Sequence, residues 1–202
     1  WTLPDVQSFG QNRAYVLVVL AGLFVGATIF TTVGYTLLYA DELLGLSPVA
    51  ARIVLAAVQA AGSAGRLGAG SLADRLGGGA RAAATVTGGQ AVVATGAFTL
   101  LGVGAVPQSV ALAALLVLGV SILGSTGVYY SCLTALVPRN EVGAASAGGQ
   151  TAINVGGLLF PPAFGYLADT AGYAAGWLLL AGCAGLLVIV LAAVRRSVGR
   201  GV

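Results

Sequence analysis

The chain has 202 residues, of which 58% are hydrophobic and only 7% are Asp, Glu, Lys or Arg. Because a soluble domain carries about 25% charged residues, this composition excludes a soluble globular protein and indicates one embedded in a lipid bilayer. The net charge of +3 comes from Arg residues at the ends of apolar segments, so we expect no nucleic acid partner. The absence of His excludes a Ser-His catalytic pair and a His-ligated metal, and we expect neither enzymatic activity, nor a metal site, nor a cofactor.

Long apolar segments predict six membrane-spanning helices, since about 20 such residues cross a bilayer. The first segment is uncharged from Ala14 to Ala40, and we expect the acidic residues Asp41 and Glu42 to end it. The second begins near Pro48, a residue that suits the first turn of a helix. A glycine-rich loop is expected over 74–81.

The second half of the chain accounts for the remaining four helices. No charged residue lies between Arg81 and Arg139, and this gap suits two spans divided by a turn over 102–108. Pro161 and Pro162 are expected to interrupt the fifth helix. The predicted helices cover residues 14–40, 48–72, 82–102, 109–137, 143–168 and 173–194.

The distribution of Arg predicts the orientation in the membrane. An even number of spans places both termini on one side, and eight of the nine Arg residues lie on that side, whereas only Arg52 lies on the other. Since cytoplasmic loops carry an excess of positive charge, we expect both termini in the cytoplasm of a cell (inner) membrane, with residues 1–13 as a linker and 195–202 as a tail. The absence of Met leads us to expect that Trp1 is an internal residue of a longer protein.

Two segments 95 residues apart share part of their sequence. Gly70–Gly77 and Gly165–Gly172 are identical at five of eight positions, in the order Gly-x-Leu-Ala-Asp-x-x-Gly. Three spans separate them, so the two copies lie on opposite sides of the membrane. This pattern predicts an all-α membrane protein built as an inverted three-plus-three repeat. The alternative is that Gly and Asp merely recur at helix ends.

The first copy resembles the loop signature of the major facilitator superfamily, except that Gly78-Gly79 replaces the usual basic pair. In that family the signature lies between helices two and three and between helices eight and nine. The resemblance implies that this chain is the C-terminal half, helices seven to twelve, and that an N-terminal six-helix half is its partner. It also implies that the Asp74 carboxylate closes a cytoplasmic gate, whereas the alternative is a solvated loop pair of Asp74 with Arg75. The implied gating motif is Gly70, Leu72, Asp74, Arg75 and Gly77.

Two details of that motif have physical interpretations. Gly70 is expected to let two helices approach closely, and Asp74 to face a helix N-terminus, where the dipole favours an anion. A second resemblance, to the family's glycine-proline signature for antiporters, lies in the fifth helix at Gly148, Gly157, Pro162 and Gly165. Pro161 and Tyr166 depart from that signature. We interpret this segment as a kink and close-packing device. Its residues are Gly157, Pro161, Pro162 and Gly165.

The family's cavity is lined by the helices that correspond here to the first, second, fourth and fifth. Gln59, Tyr129 and Asn154 are the strongest cavity candidates, because each carries a large polar group that needs a partner in the bilayer. Arg52 is either a vestibule residue that attracts anions or an interfacial anchor. The full set of candidates is Arg52, Gln59, Tyr35, Tyr129, Gln150 and Asn154.

These observations predict transport of a small solute by alternating access. The segment around Arg66 is similar to bacterial permeases for small organic anions, and this similarity favours such a solute. Arg66 itself, near the cytoplasmic end, is expected to be structural or gating. No Asp or Glu lies in the middle of a predicted helix, so any proton coupling would use the other half. The alternative is a half-size protein that acts as a homodimer or as a non-transporting membrane subunit.

Overall fold

A computed structural model of the protein describes residues 10–104 and 106–198. Six long helices account for most of this part of the chain. By length and composition five of them could cross a membrane, whereas the fifth in chain order is long enough but is rich in Gly and polar residues. The helices are α1 (Arg13–Leu43), α2 (Pro48–Arg75), α3 (Gly79–Gly102), α4 (Gln108–Thr134), α5 (Val142–Ala171) and α6 (Tyr173–Val198).

Several helix ends differ from the predictions. Asp41 does not end α1, because the last turn of that helix widens into a π-helical turn over Tyr39–Leu43. α2 continues through Arg75 and α3 begins at Gly79, so the predicted loop over 74–81 is only a short link. α6 continues to Val198 into the predicted tail. Residues 1–9, 105 and 199–202, which hold most of the predicted linker and Arg200, lie outside the described residues.

The two prolines do not interrupt α5, which is continuous over Val142–Ala171. The prediction of an interruption is therefore wrong. Each proline removes one backbone N–H donor, so the carbonyls of Gly157 and Leu158, four residues earlier, lose their usual helical donors. The Tyr35 hydroxyl of α1 donates a hydrogen bond to the Pro161 carbonyl at 3.1 Å. This contact fixes the proline segment to a neighbouring helix, but it does not replace either missing bond.

The pairing of helices confirms the inverted repeat. α1 packs along α5, α2 packs along α4, and α3 packs along α6. In an inverted repeat α1 corresponds to α4, α2 to α5 and α3 to α6. Under this correspondence the α1–α5 pair becomes the α4–α2 pair, and the α3–α6 pair becomes itself. The last glycine of each shared segment also has a left-handed backbone, with φ of +94° at Gly77 and +86° at Gly172. The shared segments are therefore equivalent parts of two structural repeats.

Glycines place the backbones of α1 and α5 in direct contact. A Cβ atom added to Gly26 would overlap the carbonyl group of Ile153, and one added to Gly156 would overlap the carbonyl oxygen of Leu23. Such close approach is the usual means of helix association in a membrane, where no hydrophobic effect drives helices together.

The equivalent pair, α2 and α4, is held in the same way. A Cβ atom on Gly65 would overlap the carbonyl oxygen of Val120, and one on Gly119 would overlap that of Val58. Gly70, by contrast, has nothing within 4 Å of an added Cβ. The prediction that Gly70 brings two helices together is wrong within this bundle, and Gly65 has that role instead.

Burial is uneven among the five apolar spans. In α2 only 22% of the most apolar window is buried, compared with 44–56% in the other four. α2 therefore exposes most of its circumference. The polar residues on that exposed surface form part of the candidate functional site.

Candidate functional site

α2 carries a polar stripe on its exposed side. At about 100° per residue, Arg52, Gln59, Ser63 and Arg66 fall within roughly 60° of one another, and all four are exposed. We call these four residues the α2 stripe. It brings the two predicted cavity residues of this helix, Arg52 and Gln59, onto one face. Polar groups in such a row at membrane depth need polar surroundings, because lipid cannot satisfy them.

Arg66 connects the α2 stripe to a break in α4. The α-helical hydrogen bonding of α4 gives way to a 3-10 turn over Leu123–Ser125. The Arg66 Nε atom donates to the Leu123 carbonyl at 3.0 Å, and the small size of Gly65 allows the two backbones to meet there. The contact supports the structural role expected of Arg66 and leaves its terminal guanidinium nitrogens available to other acceptors.

A hydrogen-bonded relay of side chains joins α4 to α5. The Tyr130 hydroxyl donates to Gln150 Oε1, and Gln150 Nε2 donates to Asn154 Oδ1 at 2.8 Å. The last two residues are four apart in α5, a spacing that places them on one helical face, and both are exposed. Within the described part of the chain the Asn154 amide group donates to no residue, so the relay ends in free N–H donors.

Tyr129 does not belong to this relay. Its side chain is 0% exposed, its hydroxyl lies between Gly22 of α1 and Gly149 of α5, and that oxygen has no hydrogen-bond partner among the described residues. The prediction that Tyr129 lines a cavity is therefore wrong, and its half-buried neighbour Tyr130 is the tyrosine that reaches the exposed Gln150.

The local sequence does not distinguish the two tyrosines. Residues three, four and seven positions from a helical residue share its face. Thr126 and Leu133 each lie three or four residues from both Tyr129 and Tyr130, so both tyrosines have polar and apolar neighbours at helical spacing. Packing against α1 and α5, which is a tertiary contact, buries Tyr129.

Tyr35 lies at the contact between α1 and α5. Its hydroxyl bonds the Pro161 carbonyl, and its ring packs against Phe164 with centroids 4.4 Å apart. Gly165 provides space for that hydroxyl, and Gly157 likewise provides space for an aromatic ring of α1. The predicted cavity residue Tyr35 and the two glycines of the predicted kink therefore hold α1 against α5.

The residues of the predicted gate lie at the end of α2. Asp74 and Arg75 are exposed in the last helical turn rather than in a loop, and neither forms an ion pair with a described residue. Gly77 then turns the chain, and its N–H donates to the Asp74 carbonyl at 3.0 Å. A carboxylate at a helix C-terminus is disfavoured by the helix dipole. Within this part of the chain Asp74 therefore lacks the favourable partner that was predicted for it.

The chain is similar to known proteins over most of its length. A family model for the Major Facilitator Superfamily matches residues 19–201. Twenty-four chains of solved structures match as well. One of them, a crystal structure of a variant of the E. coli fucose:proton symporter FucP, superposes with a TM-score of 0.80 at 20% sequence identity. The match covers 94% of this chain and 44% of the symporter chain, so the chain spans less than half of that protein. No curated protein sequence matches the chain.

Proposed function

The chain belongs to the major facilitator superfamily, and we propose that it forms the C-terminal half of a secondary transporter that moves a small solute by alternating access. The observations that carry the proposal are two groups of polar side chains that the bundle leaves largely uncovered, the α2 stripe and the Tyr130–Gln150–Asn154 relay. A second six-helix half packed against both groups would enclose a polar cavity.

The solute is a small organic anion in this proposal. The free polar groups of the surface are mostly donors: the guanidinium of Arg52, the remaining nitrogens of Arg66 and the amide N–H groups of Asn154. No carboxylate lies in the middle of a helix to compete for them. A carboxylate solute, which only accepts hydrogen bonds when ionised, complements such a surface.

Uptake by the native protein in proteoliposomes tests the solute class. We expect radiolabelled short-chain carboxylates to be taken up, and Arg52→Gln to raise KM roughly tenfold because a charge-assisted contact is lost. Arg52→Lys should retain most of the affinity, and Arg139→Gln, a charge change on the opposite side of the bundle, serves as the control. An unchanged KM in Arg52→Gln would make Arg52 an interfacial anchor, and uptake of neutral solutes alone would overturn the anion proposal but not the transport proposal.

The gate is proposed to involve Asp74 and its neighbours. On the orientation inferred from Arg, with both termini in the cytoplasm, Asp74 meets the cytoplasmic edge of the other half, where it gains the partner that this bundle lacks. Asp74→Asn is expected to reduce uptake at least severalfold while membrane expression stays constant, because the substitution removes the charge and keeps the shape. Asp169→Asn, at the equivalent position of the second repeat on the opposite side, is the matched control. Normal uptake by Asp74→Asn would exclude the gating role.

A further inference from the structure

An apolar groove lies between α2, α3 and α4, on the side of α2 opposite the α2 stripe. It has a volume of about 870 Å³, within the range of sites that hold small ligands. Its α2 wall contains Ala64, Gly68 and Leu72, and its α3 wall contains Thr85 and Gly89. If the α2 stripe faces the other half of the transporter, as proposed above, this groove faces lipid.

The groove exists because side chains are missing from its walls. Added Cβ atoms on Gly68 and Gly89 would meet nothing within 4 Å, so no neighbouring helix needs these glycines for close packing. The glycines therefore maintain an open channel along the helices. In a bilayer such an apolar channel is filled by an acyl chain, which packs against the exposed walls.

Two arginines flank one end of the groove. Arg75 follows Gly68 by seven residues, or two helical turns, and so lies on the same face of α2. Arg81 precedes Thr85 by four residues and so lies on the groove face of α3. Both are exposed, neither forms an ion pair with a described residue, and the link between their helices is short. Asp74 directly precedes Arg75 and therefore lies about 100° from it around α2, on the side of the α2 stripe.

We propose that this groove binds an anionic phospholipid from the arginine-rich side of the membrane. One acyl chain lies along the groove, and the phosphate lies between Arg75 and Arg81. Basic pockets between membrane helices bind anionic head groups, and a basic residue near the surface contributes about 1 kcal/mol to such binding. Neutral lipids would fill the groove without this contribution.

The experiment compares phosphatidylglycerol with phosphatidylcholine on the native protein. Nanodiscs of defined composition are prepared, and the lipids retained after extraction are counted by native mass spectrometry. We expect Arg81→Gln to lower the preference for phosphatidylglycerol roughly fivefold, and Arg75→Gln to do the same. Arg139→Gln, a charge loss on the same side of the membrane but outside the groove, should leave the preference unchanged.

A second variant tests the groove itself. Gly68→Leu should displace the retained lipid of either kind, and Gly89→Leu provides an independent version if the first variant is poorly folded. An unchanged preference in Arg81→Gln, or unchanged retention in both leucine variants, would overturn the lipid site. Because lipid retention is measured without transport, these results are independent of the solute proposal. Because the proposed phosphate lies between both arginines, an unchanged lipid preference in Arg75→Gln would overturn the site as well.

Discussion

Replacing Gln150 by Leu is expected to reduce solute uptake roughly 30-fold, because both hydrogen bonds of the relay disappear and each contributes about 1 kcal/mol. Gln150 accepts from Tyr130 and donates to Asn154, so without it the Asn154 amide is no longer held in place. Leu has a similar volume, and position 150 is exposed, so the folded yield should not change. The measurement is the initial rate of uptake at equal amounts of reconstituted protein.

Two tyrosine variants make the test specific. Tyr130→Phe removes one bond of the relay and should reduce uptake about fivefold. Tyr129→Phe removes a buried hydroxyl that has no partner among the described residues, so uptake should be unaffected and thermal stability equal or higher. An equal loss of uptake in both phenylalanine variants would contradict the relay, since the two residues differ in their hydrogen bonds rather than in their chemistry.

Replacing Gly156 by Leu is expected to prevent correct folding. An added Cβ alone would overlap the Leu23 carbonyl oxygen, so α1 and α5 would have to separate along their length. Overpacking in a well-packed interior costs about 1–3 kcal/mol, and occasionally more. At this contact the obstacle is backbone, which cannot change rotamer to relieve the overlap. We expect a large fall in the apparent melting temperature and in the monodisperse fraction of purified protein.

Gly182→Leu is the matched control for this prediction. Gly182 is exposed on α6, and a Cβ there would meet nothing within 4 Å. The change is the same in volume and polarity, so the control variant should behave like the native protein. Gly65→Leu, at the equivalent α2–α4 contact, should resemble Gly156→Leu. Equal melting temperatures for the Gly156 and Gly182 variants would show that the α1–α5 contact does not hold the bundle together.

The number and order of the helices could be predicted from the sequence, because hydrophobicity over about 20 residues is a strong signal. The ends of the helices were less predictable. Asp74 has a charge that usually marks a loop, yet it lies in the last turn of α2, where the chain turns at glycines with positive φ. Likewise prolines often break helices, but α5 continues through Pro161 and Pro162, where Tyr35 of α1 is bonded to it. Such contacts between distant residues are not visible in a local pattern.

The candidate site was predictable at the level of helices but not always at the level of side chains. Gln59 and Asn154 were identified because a large polar side chain in an apolar helix needs a partner. The sequence predicts Tyr129 as a cavity residue, whereas Tyr130 forms the relay, because one residue rotates a side chain by about 100° around the helix. The motif predicts Gly70 at a close helix contact, whereas Gly65 makes that contact, because a motif does not identify the helix that faces a residue.

The pairing of α1 with α5 and of α2 with α4 has a consequence for synthesis of the chain. Both tight contacts join one repeat to the other, and Gly26 and Ile153 are separated by more than 120 residues. A ribosome that has synthesised this chain only as far as α3 has therefore exposed glycine faces on α1 and α2 whose partners do not yet exist. These contacts can form only after α4 and α5 have entered the bilayer, since contacts distant in sequence form late.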